Sequence, residues 1–111
     1  MLLQIKNNLE KKGMDIHSMV QIEPKKLKSR KKITILDLET EKKSPLSEFA
    51  VNQSSRFIRK NANDLLALQE KLQEFTHKQY VKNILYINAP LCSKAKLFLE
   101  ENNWIVFHDV L

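Results

Sequence analysis

Six of the eight residues between positions 25 and 32 are basic: Lys25, Lys26, Lys28, Arg30, Lys31 and Lys32, with Leu27 and Ser29 between them. Such a run can contact the phosphates of a nucleic acid. It can equally be a solvated loop. Arg56, Arg59 and Lys60 lie at the start of the longest helical pattern and can extend the patch, because a helix N-terminus itself favours an anion. The other reactive side chains are scattered. His17, His77 and His108 have no metal-ligand spacing. His108-Asp109 could join Cys92 or His17 at a metal only through tertiary proximity, which spacing does not define. Cys92 reads as a small core or helix-start residue.

The chain has 111 residues and a net charge of +6, enough for one small domain over 1–111 and too little for two independent cores. With 42% apolar and 29% charged residues, the composition is globular. The charge is unevenly placed. Residues 1–32 carry nine basic and three acidic side chains, whereas residues 33–111 carry ten of each, so the excess belongs to the first third. One cysteine excludes an internal disulfide framework and a four-cysteine zinc site. One glycine excludes a glycine-rich phosphate loop. No stretch approaches the roughly 20 apolar residues that span a bilayer. The opening Met1-Leu2-Leu3-Gln4-Ile5-Lys6 lacks the basic-then-apolar order of a signal peptide. The expectation is a cytoplasmic protein without membrane association.

These side chains must be positioned by a small set of elements. Leu2, Ile5 and Leu9 have helical spacing up to Gly13, a fitting helix end. Met14–Ile22 alternates as a strand, and Pro24 stops it. The basic segment 25–32 follows as a loop or strand edge. Ile33–Glu39 is a second strand, with Ile33, Ile35 and Asp37 on one face and Thr34, Leu36 and Leu38 on the other. Leu46–Gln53 is a third, with Leu46, Glu48 and Ala50 opposed to Ser47, Phe49 and Val51. Ser54 or Ser55 can cap a helix running from Phe57 to about Lys78, whose stripe is Ile58, Ala62, Leu65, Leu68, Leu72 and Phe75. Val81–Ala89 is apolar on both faces, as in a covered strand. Pro90 suits the first turn of a helix running to Asn102, and Trp104–Val110 is a last strand. Trp104, Tyr86 and Phe107 are expected on inner strands as core. The predicted class is α/β, a mixed sheet in the order α-β-β-β-α-β-α-β.

This order resembles the core of the restriction-endonuclease-like nucleases, the PD-(D/E)xK superfamily. In that family the second core strand ends in Asp and the third carries Glu-x-Lys. The resemblance implies catalytic and metal-ligating roles for Asp37 and Glu48 on Mg²⁺, which would activate water for phosphodiester hydrolysis. The lysine position is Ala50, so the motif is degenerate. Lys31, Lys32 and Lys60 are candidates for a displaced lysine, and Gln69 for a glutamine of the following helix. The segment Asn83-Ile84-Leu85-Tyr86-Ile87-Asn88-Ala89-Pro90 is similar to the tail of archaeal and resolvase-type members.

A second stretch, Ala89-Pro90-Leu91-Cys92-Ser93-Lys94-Ala95-Lys96, resembles the glutaredoxin turn, with Ala89 in place of the nucleophilic cysteine. The expected function is a nucleic-acid-binding, nuclease-like domain, either a divergent Mg-dependent phosphodiesterase or a catalytically inactive relative. The DNA- or RNA-binding residues would be Lys25, Lys26, Lys28, Arg30, Lys31, Lys32, Arg56, Arg59 and Lys60. The alternative is a non-catalytic regulatory module that uses 25–32 to bind an acidic protein partner. In plainer readings, Asp37 is an edge-strand carboxylate facing water and Glu48 a cross-strand neighbour of Lys31 or Lys32. A homodimer is open to the chain if its last strand lies at a sheet edge.

Overall fold

The computed structural model describes residues 15–108. The helix expected before Gly13 and the end of the last strand lie outside them. Strands β1 (Ile16–Ile22), β2 (Thr34–Thr40) and β3 (Pro45–Asn52) form an antiparallel meander. Helix α1 (Arg59–Thr76), strand β4 (Lys82–Asn88), helix α2 (Ser93–Glu101) and strand β5 (Trp104–His108) follow among the described residues. The result is a small mixed α/β domain with a five-stranded sheet in spatial order β1-β2-β3-β4-β5. The pairs β3–β4 and β4–β5 are parallel, so β2 alone runs against the rest. Among the described residues no helix is long and apolar enough to cross a membrane.

Alternation in the strands sorts their side chains between two dry layers. On one face, Ile35, Phe49, Val51, Leu85 and Ile87 meet Ala62, Leu65, Leu68 and Leu72 of α1 and Ala95 and Leu99 of α2. Trp104 joins this layer with its ring centroid 5.5 Å from that of Phe49. The other face buries Leu36, Leu38, Leu46, Ala50, Ile84 and Tyr86. Strand β5 is therefore an edge strand, not an inner one, and its Phe107 is only half-buried.

Several boundaries differ from the sequence reading. Neither Ser54 nor Ser55 caps α1. Ile58 precedes its first turn, and the side-chain oxygen of Asn61 accepts the Ile58 N–H at 2.8 Å. The second helix begins at Ser93 rather than Pro90. Phe57 and Leu91 form a parallel bridge, with Phe57 N–H donating to Pro90 O at 2.8 Å and Cys92 N–H to Phe57 O at 3.0 Å. This pairing holds residues 90–92 extended and sets the two helix starts side by side. The basic segment also contains order: Pro24–Leu27 is a short 3-10 turn packed on α1, with Leu27 buried. In a chain with one glycine, left-handed backbone falls to other residues, namely Lys28, Lys43, His77 and Asn103.

Candidate functional site

The register between β2 and β3 decides what the two carboxylates can do together. Asp37 pairs with Ser47, and Glu48 pairs with Leu36. Directly paired residues share a face and successive residues alternate, so Asp37 and Glu48 point to opposite sides of the sheet. They are not brought together, and no single ion can be held by both. This corrects the metal-ligand pair that the family resemblance implies.

Asp37 lies on the helix-covered side. It is not an edge carboxylate facing water, because β2 is interior to the sheet and Asp37 is buried. Its Oδ2 accepts Lys78 Nζ at 2.9 Å and its Oδ1 accepts the Tyr80 hydroxyl at 3.1 Å. The Thr76 and Tyr80 hydroxyls lie 3.0 Å apart, and Thr76 also donates to Leu72 O at 2.9 Å. Burial pushes the Tyr80 pKa up to about 12, with the charge of Asp37 a smaller cause, so the phenol remains a donor. Beside them, Ser47 Oγ donates to Asn83 Oδ1 at 2.6 Å. The lysine that reaches Asp37 is thus Lys78, not Lys31, Lys32 or Lys60. The signal for it was the polar segment Thr76-His77-Lys78-Gln79-Tyr80, which must return from α1 to the start of β4 beneath β2 and β3.

Glu48 is on the other side, 1% exposed, opposite Leu36 on β2 and Ile84 on β4. It is no cross-strand neighbour of Lys31 or Lys32. Among the described residues neither carboxyl oxygen has a hydrogen-bond partner. Burial among apolar side chains pushes its pKa up to about 8, so it is neutral at pH 7. A neutral, isolated carboxyl is a poor ligand for a hard cation that takes several charged oxygens. Asp37 and Glu48, placed in this way, do not fit a shared Mg²⁺.

The remaining candidates also stand apart. His17 Nδ1 lies 3.5 Å from Glu41 Oε2, and His108 Nε2 lies 2.8 Å from Ala89 O. Among the described residues no three His, Cys, Asp or Glu side chains form a metal-binding group. Gln69 sits half-buried in mid-helix. Cys92, partly exposed, immediately precedes α2. The backbone N–H groups of Ala95 and Lys94 hold its thiol below the ordinary value, and the Arg56 charge adds to this.

The basic residues form the more coherent feature. Lys25, Lys26, Lys28, Arg30, Lys31, Lys32, Arg56, Arg59 and Lys60 are all exposed. Lys31 and Lys32 line a cleft of about 270 Å³ with Asn52, Gln53, Phe57 and Asn61, where β3 ends and α1 begins. Within it Lys31 Nζ reaches Asp64 Oδ2 at 3.2 Å. The guanidinium of Arg59 lies 4.7 Å from the Phe98 ring centroid, joining the start of α1 to the second half of α2. Neither helix has an acidic residue in its first turn. Asp37, by contrast, sits near the opposite end of the sheet, level with the starts of β3 and β4. Comparison with protein-family models, curated proteins and solved structures gives no match.

Proposed function

We propose that this chain is a non-catalytic nucleic-acid-binding domain on a restriction-endonuclease-like core. The meander, crossover helix and returning strand support the architectural reading. The observation that carries the binding reading is at the beginning of α1. Arg59 and Lys60 occupy its first two positions, where the positive end of the helix dipole disfavours cations, and Lys31 and Lys32 share the adjoining cleft. That arrangement costs stability in the free protein and is relieved by an anion. A polyphosphate backbone supplies anions at repeated spacing along such a strip.

The placement of the two carboxylates supports the non-catalytic part of the reading. Asp37 is engaged by Lys78 and Tyr80, and Glu48 is neutral on the other face. The test is fluorescence anisotropy with labelled DNA and RNA across a salt series, beside a Lys31→Glu/Lys32→Glu/Lys60→Glu variant. The expected result is binding that weakens steeply with salt and is lost in the variant. Supercoiled DNA should stay intact in Mg²⁺ or Mn²⁺. No binding at low salt overturns the proposal, and metal-dependent cleavage abolished by Asp37→Ala overturns its non-catalytic part.

A further inference from the structure

Phe75 belongs by spacing to the apolar stripe of α1, three residues after Leu72 and seven after Leu68, yet it is 46% exposed. It borders a groove of about 400 Å³ between α1 and the 3-10 turn, lined also by Lys26, Leu27, Lys28, Lys71 and Glu74. Lys71, Glu74 and Phe75 rise from one side of the helix, at spacings of three and four. Opposite them, buried Leu27 pins the turn against α1 and leaves Lys26 and Lys28 exposed on either side. Lys28 has φ 58°, and its N–H donates to Lys25 O at 3.0 Å, which fixes the bend. An aromatic ring is therefore held in a groove with three lysines and one glutamate.

The chain itself links this groove to the basic cleft, since Lys26 and Lys28 line the first and Lys31 the second. Residues 26–31 run along α1 from the level of Phe75 to that of Asp64, which is bonded to Lys31. Those levels are eleven helical steps apart, about 16 Å at 1.5 Å per residue. A strand of nucleic acid laid there would meet lysines along its backbone and an exposed ring at one end. Such interleaving of charge and an aromatic face is what unpaired bases can use, because their faces are free to stack. In a duplex those faces are already stacked on one another.

We infer that the groove between α1 and residues 24–28 binds single-stranded nucleic acid, with a base stacked on Phe75 and phosphates on Lys26, Lys28 and Lys71. The inference rests on the nucleic-acid reading above and narrows it to single strands. The experiment compares a labelled single strand of about 12 nucleotides with a duplex of equal length, at fixed ionic strength, for wild type, Phe75→Ala and Phe75→Trp. The wild type should prefer the single strand. Phe75→Ala should weaken that binding roughly tenfold, leave duplex binding unchanged and keep the same salt slope. Phe75→Trp should retain the affinity, and its indole fluorescence should be quenched by the oligonucleotide. Wild-type affinity in Phe75→Ala, with binding still lost in the Lys31/Lys32/Lys60 variant, overturns the stacking site but leaves nucleic-acid binding standing. Binding of polyglutamate and of neither nucleic acid overturns both readings.

Discussion

Asp37 and Glu48 sit on neighbouring strands and face away from each other, because Asp37 is paired with Ser47 and Glu48 with Leu36. A one-residue slip of β3 would bring the two carboxylates to one side. The same slip would move Phe49 and Val51 out of the layer beneath the helices and bring Leu46 and Ala50 into it. Apolar packing on both faces fixes the register, and the register separates the acids.

Asp37, held by Lys78 and Tyr80, is tied into the fold, and its loss should be felt in stability. Asp37→Asn removes the charge that accepts from Lys78 and Tyr80 and should cost about 2 kcal/mol in urea denaturation at pH 7. Lys78→Met should cost less, about 1 kcal/mol, because the ammonium is partly exposed. Calorimetric titration with Mg²⁺ or Mn²⁺ should show no saturable heat that depends on Asp37. Such a heat, lost in an Asp37→Asn variant of unchanged stability, would restore the metal reading.

Glu48 gives stability a pH dependence of defined sign. Burial raises its pKa from 4.5 to about 8, so between those values the folded chain keeps a proton that the unfolded chain releases. Its contribution makes stability fall as pH rises through that window and level off above it. Glu48→Gln keeps a neutral polar group of similar size. It should match wild type near pH 4 and exceed it at pH 7 by about 3 kcal/mol. Denaturation midpoints measured across pH check this. Parallel profiles for the two proteins would mean that Glu48 is already charged when folded.

The strands and α1 were legible because their apolar residues repeat at periods of two and three to four. What alternation cannot show is which face of one strand meets which face of the next. The sequence reading placed Asp37 with Ile33 and Ile35, and Glu48 with Leu46 and Ala50, correctly within each strand; only the pairing across them reveals opposition. Lys78 lies 41 residues from Asp37, a distance that no local pattern spans. The start of α2 was misplaced for a related reason. Pro90 suits a first turn locally, but the bridge from Phe57 to Leu91 competes for the same backbone and wins. Phe75 fits the stripe by periodicity, yet it remains half-exposed near the end of α1.

Lys60 should trade stability against binding. As the second residue of α1 it lies where a cation opposes the helix dipole. Lys60→Glu should stabilise the free protein by about 0.5 kcal/mol, seen as a higher urea midpoint. It should weaken oligonucleotide binding and lower the logarithmic salt slope by about one. A variant that gains stability with unchanged affinity would place the phosphates away from this helix start.

Cys92 offers a reporter for the same edge. The N–H groups of Ala95 and Lys94 favour its thiolate most, and the Arg56 charge assists. Alkylation rates followed against pH should have a midpoint below that of an ordinary thiol. Arg56→Ala should raise it, though by less than the helix-start N–H groups lower it. Phosphates bound beside Arg56 would offset that positive charge and disfavour the thiolate, so saturating oligonucleotide should slow alkylation at pH 7. Steric cover would slow it too, but without moving the midpoint, so the midpoint is the quantity to follow. An upward shift on binding, absent in Arg56→Ala, puts the polyanion at the paired helix starts. An unchanged midpoint confines it to the strip between Lys31 and Phe75.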